Sequence, residues 1–270
     1  MSKKVAPRRV IYYEDELNDD FAATKELGQN KIDEYFNYQR MDNPFIRLWA
    51  NFLYFIIVKP LVFLALKIYF HYRVIGKKKM RKRGKRGCFI YGNHTNYLPD
   101  AAFNSMLHAG RNYVVVGPQT VSIRGIGGLV QDLGAIPLAD TLVAKANYMA
   151  SIRKKLKQNA SITIYPEAHI WPYYQSVRPF GNASFLYPVE ENVPVYSVAT
   201  CYQKRKHAFR PKIVFVVDGP FYPDPILSRS ENMKKLRDEV YYSLLNATKR
   251  YSTYEFYKYI KKEEEDVSLA

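Results

Sequence analysis

His94 and Asp100 close the stretch Tyr91-Gly92-Asn93-His94-Thr95-Asn96-Tyr97-Leu98-Pro99-Asp100, and a pair of that kind can move a proton near neutral pH. A neutral imidazole takes a proton from a hydroxyl when a carboxylate fixes its tautomer and stabilises the imidazolium that forms. His94 is the candidate general base and Asp100 its orienter. Asn93, next to the base, is a candidate substrate contact. The pair also has a plainer reading, His94 bonding a turn and Asp100 capping a helix, and two residues at this spacing do not choose between the readings. The elements around them set the stage. Cys88 to Tyr91 is an apolar run expected to form a strand, and a helix is expected from about residue 100, with Pro99 and Asp100 suited to its first turn. The pair therefore falls on a strand-to-helix loop.

The rest of the chain must hold that loop. At 270 residues it is long enough for one large α/β domain and a small appendage. A formal net charge of +16 beside a 15% aromatic share suits a nucleic acid or an anionic membrane face. Two cysteines, Cys88 and Cys201, lack metal-ligand spacing and lie in apolar runs, so they read as core residues in a reducing, cytosol-facing compartment. No metal site is expected.

Phe45 to Tyr72 is strongly apolar and aromatic but is cut by Arg47, Lys59, Pro60 and Lys67. Spanning a bilayer takes about 20 consecutive apolar residues, and a proline breaks or kinks a helix. The expectation is a pair of short helices lying in the membrane interface, Trp49 and the tyrosines at headgroup level and the lysines reaching phosphates. A single span and a soluble helical hairpin are the alternatives. Residues 73–87 follow with nine basic side chains and no acidic one, a run expected to be an unstructured linker. Beside an apolar anchor such a run favours anionic lipid; the rings are not interleaved with the charges as in a stacking platform, which disfavours nucleic acid.

Downstream, β-branched runs alternate with helical stretches, the pattern of a mixed central sheet flanked by helices. Strands are expected at 88–91, 113–116, 134–138, 161–165, 194–200 and 212–217, and helices at 100–109, 120–132, 141–158 and 230–250. The last carries a capping box, Ser228 with Glu231. The organisation expected is a polar arm over 1–43 with an amphipathic helix near Phe21 to Tyr38, a membrane-associated helical pair over 44–72, the basic linker over 73–87, the α/β domain over 88–252, and a charged, frayed tail over 253–270.

Three stretches follow the histidine in order: Leu133-Gly134-Ala135-Ile136-Pro137-Leu138, Ile162-Thr163-Ile164-Tyr165-Pro166-Glu167, and Asn192-Val193-Pro194-Val195-Tyr196-Ser197-Val198-Ala199. Singly each is ordinary. Their order and spacing after Asn93-His94 resemble the four sequence blocks of the glycerolipid acyltransferases, the 1-acylglycerol-3-phosphate acyltransferases that make phosphatidic acid. The resemblance covers roughly residues 85–220, and the apolar segment before it matches the family's membrane-binding helices.

The resemblance implies direct transfer of an acyl group from an acyl-coenzyme A or acyl carrier protein thioester to the hydroxyl of a lysophospholipid. No other cofactor is implied. His94 would be the base, Asp100 its orienter and Glu167 a carboxylate near the acceptor; backbone N–H groups at the start of the helix after Pro99 would steady the oxyanion. Three departures stand out. The loop between His94 and Asp100 is one residue longer than the family's. Asp140 falls where a second-block arginine would hold the acceptor's phosphate, and Ala168-His169-Ile170 replaces the third-block Gly-Thr-Arg. Another cation must then meet a phosphate: Arg178, which follows Glu167 by a short loop, is the first candidate and Arg124 the second, while His169 is either a substitute anion contact or a surface residue. The resulting expectation is a peripheral or monotopic acyltransferase on the cytoplasmic face of a membrane, with anionic lipids as its surface. A different alcohol acceptor, or a non-catalytic lipid- or nucleic-acid-binding protein, are the other readings.

Overall fold

Residues 7–21, 32–206 and 208–262 are described by the structure, a computed structural model. The strands are β1 (Arg9–Tyr13), β2 (Arg73–Ile75), β3 (Cys88–Gly92), β4 (Asn112–Val116), β5 (Ala135–Pro137), β6 (Ser161–Ile164), β7 (Val195–Gln203), β8 (Lys212–Phe221) and β9 (Tyr257–Lys261). The helices are α1 (Pro44–Phe52), α2 (Lys59–Tyr69), α3 (Tyr97–Ala102), α4 (Pro118–Val121), α5 (Gly127–Asp132), α6 (Leu142–Lys157), α7 (Leu186–Glu191) and α8 (Arg229–Tyr251). Seven strands make one mixed sheet in the order β2-β8-β7-β3-β6-β4-β5, parallel from β7 to β5 and antiparallel between β7 and β8. The fold is therefore the mixed α/β sheet flanked by helices that the alternating pattern implied.

At the centre lies β3, apolar throughout because both its faces are covered. Phe89 and Tyr91 face the layer that includes α6 and α8, while Cys88 and Ile90 face α2 and its neighbours. Cys201 is buried on β7, and burial pushes both thiols up to about 12, so the cysteines are packing residues here. The chain leaving β3 passes into α3 and the turn at Phe103 and Leu107, on the α2 face. The chain leaving the neighbouring parallel strand β6 passes to Phe180 and Phe185, on the α6 and α8 face. Adjacent parallel strands whose exits part to opposite faces open a crevice at their carboxyl ends, the place where such sheets hold ligands.

The expected pair of apolar helices is instead one continuous helix. Asn43 caps it through bonds from Phe45 N (3.0 Å) and Ile46 N (3.3 Å), and it runs from Pro44 to Tyr69 with a wider π turn at Leu53–Val58. That turn ends just before Lys59-Pro60 and absorbs the missing N–H and the bulk of the proline ring, so the break does not occur. Ala50, Tyr54 and Leu66 touch the protein, while Phe45, Leu48, Ile56, Leu61 and Ile68 are exposed. Its length and composition are sufficient to cross a membrane. Lys59, expected to reach outward, turns in and donates to the His108 carbonyl at 3.1 Å.

The basic run is not an unstructured linker. Residues 73–75 form the edge strand β2 on β8, and Lys77–Arg83 form a 3-10 helix that buries Met80 and Arg83. Gly76 makes the corner at φ 76°, where a Cβ would lie 2.2 Å from the Val217 carbonyl oxygen. Lys79 pairs with Asp218, while Lys77, Lys78, Arg81 and Lys82 stay exposed.

Nor do the polar arm and the charged tail stand apart from the domain. β1 pairs with β9 in parallel, Arg9 opposite Tyr257. Ile32 and Tyr38 are buried in the main core, and Asp140 accepts a bond from Ile32 N at 2.8 Å. The described parts of the expected 21–38 helix, Phe21 and residues 32–38, are irregular chain and turns; residues 22–31 and the frayed stretch from Glu263 lie outside the described residues.

Candidate active site

His94 lies one residue past Asn93 at the carboxyl end of β3, and its Nδ1 is 2.9 Å from Asp100 Oδ2. The same carboxylate oxygen accepts from Thr95 N and Asn96 N, both at 2.8 Å. A loop lengthened by one residue therefore closes on itself: Asp100, in the first turn of α3, reaches back and is fixed by the loop's own backbone. The ring must donate from Nδ1 to this buried carboxylate, which leaves the Nε2 lone pair for an incoming hydroxyl. The His94 side chain keeps 18% of its surface and Asp100 1%, so the imidazole can be reached from outside while the carboxylate cannot. The N–H groups of Thr95 and Asn96 are spent on Asp100 and are not oxyanion donors.

Beneath the imidazole lies Tyr165, at the end of β6, stacked with its centroid 4.5 Å away and planes 15° apart. Its hydroxyl donates to the Asp100 carbonyl at 2.6 Å, and burial keeps that hydroxyl protonated by pushing it well above its usual range. Gly92 makes room for the platform, since a Cβ there would lie 2.8 Å from the Tyr165 ring. Sequence reasoning missed Tyr165 although it stands two places before Glu167; an aromatic residue at the carboxyl end of the strand beside the base was the available signal.

Glu167 approaches from the other side and accepts from His94 N at 3.2 Å and from Arg178 N at 3.1 Å. Burial pushes its carboxyl up to about 7, against the Arg178 guanidinium 3.4 Å away and these two N–H groups. Arg178 is not a phosphate contact. It is 1% exposed, donates to the carbonyls of Glu16, Glu167 and His169, and lies over Trp171. A single arginine in a polar loop reads as exposed; this one is a buried tie between the loop and the arm. Glu167 is accordingly a brace of the His94 backbone, not an exposed acceptor contact. Asn93 is corrected in the same sense: fully buried, it exchanges both amide bonds with Thr200 on β7, at 3.1 and 2.8 Å, and does not face substrate. His169 lies 3.6 Å from Asp20 and is partly exposed. Arg124 is exposed on the turn between α4 and α5, beyond the carboxyl end of β4. Asp140, at the second-block arginine position, is engaged by Ile32, and Ile170 offers no charge.

Behind the loop, Trp171 N donates to the His94 carbonyl at 3.0 Å and Tyr173 N to that of Thr95 at 2.9 Å. Trp171 is fully buried between Tyr13 of β1 and Tyr259 of β9, stacking on the latter at 4.9 Å. Among the described residues no three His, Cys, Asp or Glu side chains converge as a metal would require.

A second histidine, His108, lies at the amino ends of β4 and β6. Its Nε2 is 2.5 Å from Ser161 Oγ, which itself donates to Asn112, and its Nδ1 faces Arg83 at 3.4 Å. Burial, Arg83 and Lys59 push it down to about 3.

A histidine–carboxylate pair at the central carboxyl end of a mixed sheet is an arrangement that can activate a hydroxyl. Residues 71–200 match the family model described as Acyltransferase, and that span holds His94, Asp100, Tyr165 and Glu167. Among solved structures the chain is similar to the 1-acyl-sn-glycerophosphate acyltransferase PlsC of Thermotoga maritima, at 15% identity and TM-score 0.48, covering 77% of this chain and 92% of that one. No curated protein matches it.

Proposed function

We propose that the chain transfers a fatty acyl group from an acyl-coenzyme A or acyl carrier protein thioester to the free hydroxyl of a lysophospholipid of the lysophosphatidate type. The observation that carries the reading is the His94–Asp100 pair, with Nδ1 tied to a carboxylate fixed by two backbone N–H groups and Nε2 left open. His94 Nε2 takes the hydroxyl proton as the oxygen attacks the thioester carbon. The C–S bond then breaks, the proton passes to the leaving sulfur, and the imidazole returns to neutral without an acyl-enzyme. Asp100 stabilises the imidazolium in between.

Membrane attachment is part of the same proposal. The exposed apolar side of the 44–69 helix would enter the lipid, and Lys77, Lys78, Arg81 and Lys82 would meet anionic headgroups on the cytoplasmic face. A second reading of the acceptor is favoured by one observation: of the arginines expected to hold its phosphate, Arg178 is buried and only Arg124 is exposed on a loop at the right end of the sheet. On that reading the acceptor is an amphiphilic alcohol without a phosphate monoester.

The test is thiol release by the purified full chain from acyl-coenzyme A, or from acyl carrier protein in a parallel arm, with lysophosphatidate or monoacylglycerol as acceptor. Faster release with lysophosphatidate, abolished by Arg124→Ala, supports the first reading. A preference for monoacylglycerol supports the second, and no thioester consumption with either overturns both.

A further inference from the structure

A cavity of about 170 Å³ lies along the β5 edge of the sheet, walled by α1, the start of β4 and the end of α6. It is three strand positions from β3, about 14 Å at ordinary strand spacing, and is separate from the His94 loop. Arg40, Arg47, Arg111, Lys154 and Lys155 line it, with Asp42 and Asp132 as the only carboxylates among the described residues. Arg40 is paired with Asp132 at 2.9 Å and Lys154 with Asp42 at 2.5 Å. Three cations are left over: among the described residues, Arg47, Arg111 and Lys155 have no carboxylate within ion-pair reach.

Two of the three crowd one another. The Arg111 guanidinium and the Lys155 ammonium lie 5.6 and 5.1 Å from the centroid of the same ring, Tyr113. Arg111 spends its donors on neutral oxygens, those of Ala50, Asn51 and Asp132, and its Nε is buried without a partner. Lys155 donates only to the Tyr38 carbonyl and Ser151. Burial, chiefly, pushes its ammonium down to about 8. Like charges held together out of water are costly unless an anion joins them.

We propose that this cavity is a binding site for a phosphate group, held by Arg47, Arg111 and Lys155. Guanidinium forks match phosphate oxygens, and a charge between one and two negative units offsets much of the charge of the three free cations. The space is large enough to hold a phosphate group. Its rim includes Arg47 and Asn51 of α1, the helix whose Leu48, Trp49 and Phe52 are exposed, so the phosphate comes either from a lipid headgroup or from solution.

Lys155 itself reports occupancy. Full-length protein would be labelled with acetic anhydride and the rate at Lys155 compared, by mass spectrometry, with that at exposed Lys157. Inorganic phosphate, titrated against chloride at constant ionic strength, should slow Lys155 at least about 5-fold and saturate. The same comparison between vesicles containing phosphatidic acid and vesicles of phosphatidylcholine supplies the lipid arm. Protection by inorganic phosphate alone assigns a soluble ligand, by phosphatidic acid alone a lipid headgroup, and by both a site that reads phosphate whatever carries it. Arg47→Gln should raise the half-protecting concentration about 10-fold, whereas Lys82→Gln, in the basic run, should leave it unchanged. Equal Lys155 labelling in every condition, or protection indifferent to Arg47→Gln, overturns the proposal.

Discussion

His94 and His108 are the same side chain at opposite ends of one sheet, and they hold opposite tautomers. His94 gives its Nδ1 proton to a carboxylate and keeps a lone pair on Nε2, with part of the ring exposed. His108 gives its Nε2 proton to Ser161 and turns its Nδ1 lone pair to Arg83, with Lys59 close by. One imidazole has a carboxylate against its N–H, whereas burial and two neighbouring cations keep the other neutral. The difference lies in what the adjoining strand ends supply: Asp100 and a backbone clamp at the carboxyl ends, cations at the amino ends. A histidine's chemistry follows from the sign of its neighbours.

The sharpest way to break that comparison is to remove each ring in turn. His94→Ala should lower kcat for acyl transfer by about 100-fold or more, the low end of general-base catalysis, and leave the thermal midpoint within a few degrees. His108→Gln should retain transfer within a few-fold but lower the midpoint, because Ser161 and Arg83 lose a buried partner. Comparable activity losses in the two variants would erase the distinction. Asp100→Asn comes next. It keeps the shape but can present an amide N–H to Nδ1, favouring the wrong tautomer, and a loss of about 100-fold in kcat is expected with KM nearly unchanged.

The platform under His94 gives a smaller effect. Gly92→Ala should displace the Tyr165 ring and cost about 10-fold in kcat, whereas Tyr165→Phe, which keeps the ring and removes one hydrogen bond, should cost about 1 kcal/mol of stability and little rate. A Tyr165→Phe variant as impaired in turnover as Gly92→Ala would show the hydroxyl, not the ring, to be what matters.

Acidity supplies the finest distinction. Glu167 has its folded pKa raised to about 7, so it binds more protons folded than unfolded between about 4.5 and 7, and its contribution to stability falls as pH rises through that window. His108 has its folded pKa lowered to about 3, so the unfolded chain binds more protons between about 3 and 6.5, and its contribution falls as pH drops. Denaturant titrations should show the wild-type advantage over Glu167→Gln shrinking from pH 5 to 7, and that over His108→Gln shrinking from pH 6.5 to 4.5. Parallel slopes of one sign would contradict the assignment of either group.

Much of this was legible beforehand, for identifiable reasons. β3, β6 and β7 are buried on both faces and read as short runs rich in apolar and β-branched residues, and Ser228 caps α8 in a box with Glu231. The His94–Asp100 pair was visible because its partners are local. What failed was non-local. Arg178 and Asn93 looked like substrate contacts because their partners, Glu167, Glu16 and Thr200, belong to other segments of the chain. The basic run looked solvated because only Met80 interrupts Lys77–Arg83, and it is Met80 together with Arg83 that packs inward. Pro60 suggested a break because the π turn that accommodates it has no sequence signature of its own. His108 was overlooked, since the cations that neutralise its chemistry come from 83 and 59.

The parallel pairing of β1 with β9 has a consequence in time. A chain emerging from the ribosome makes Arg9–Tyr13 early and Tyr257–Lys261 late, and its domains tend to fold as they appear. Trp171, whose N–H holds the His94 carbonyl, is packed between Tyr13 and Tyr259, so its seat is complete only when that late strand arrives. The central sheet can assemble before then, but the histidine loop lacks its backing. Under the proposed function, a nascent chain carries its apolar helix well before the histidine loop is backed, and catalytic competence waits on the pairing of β9 with β1.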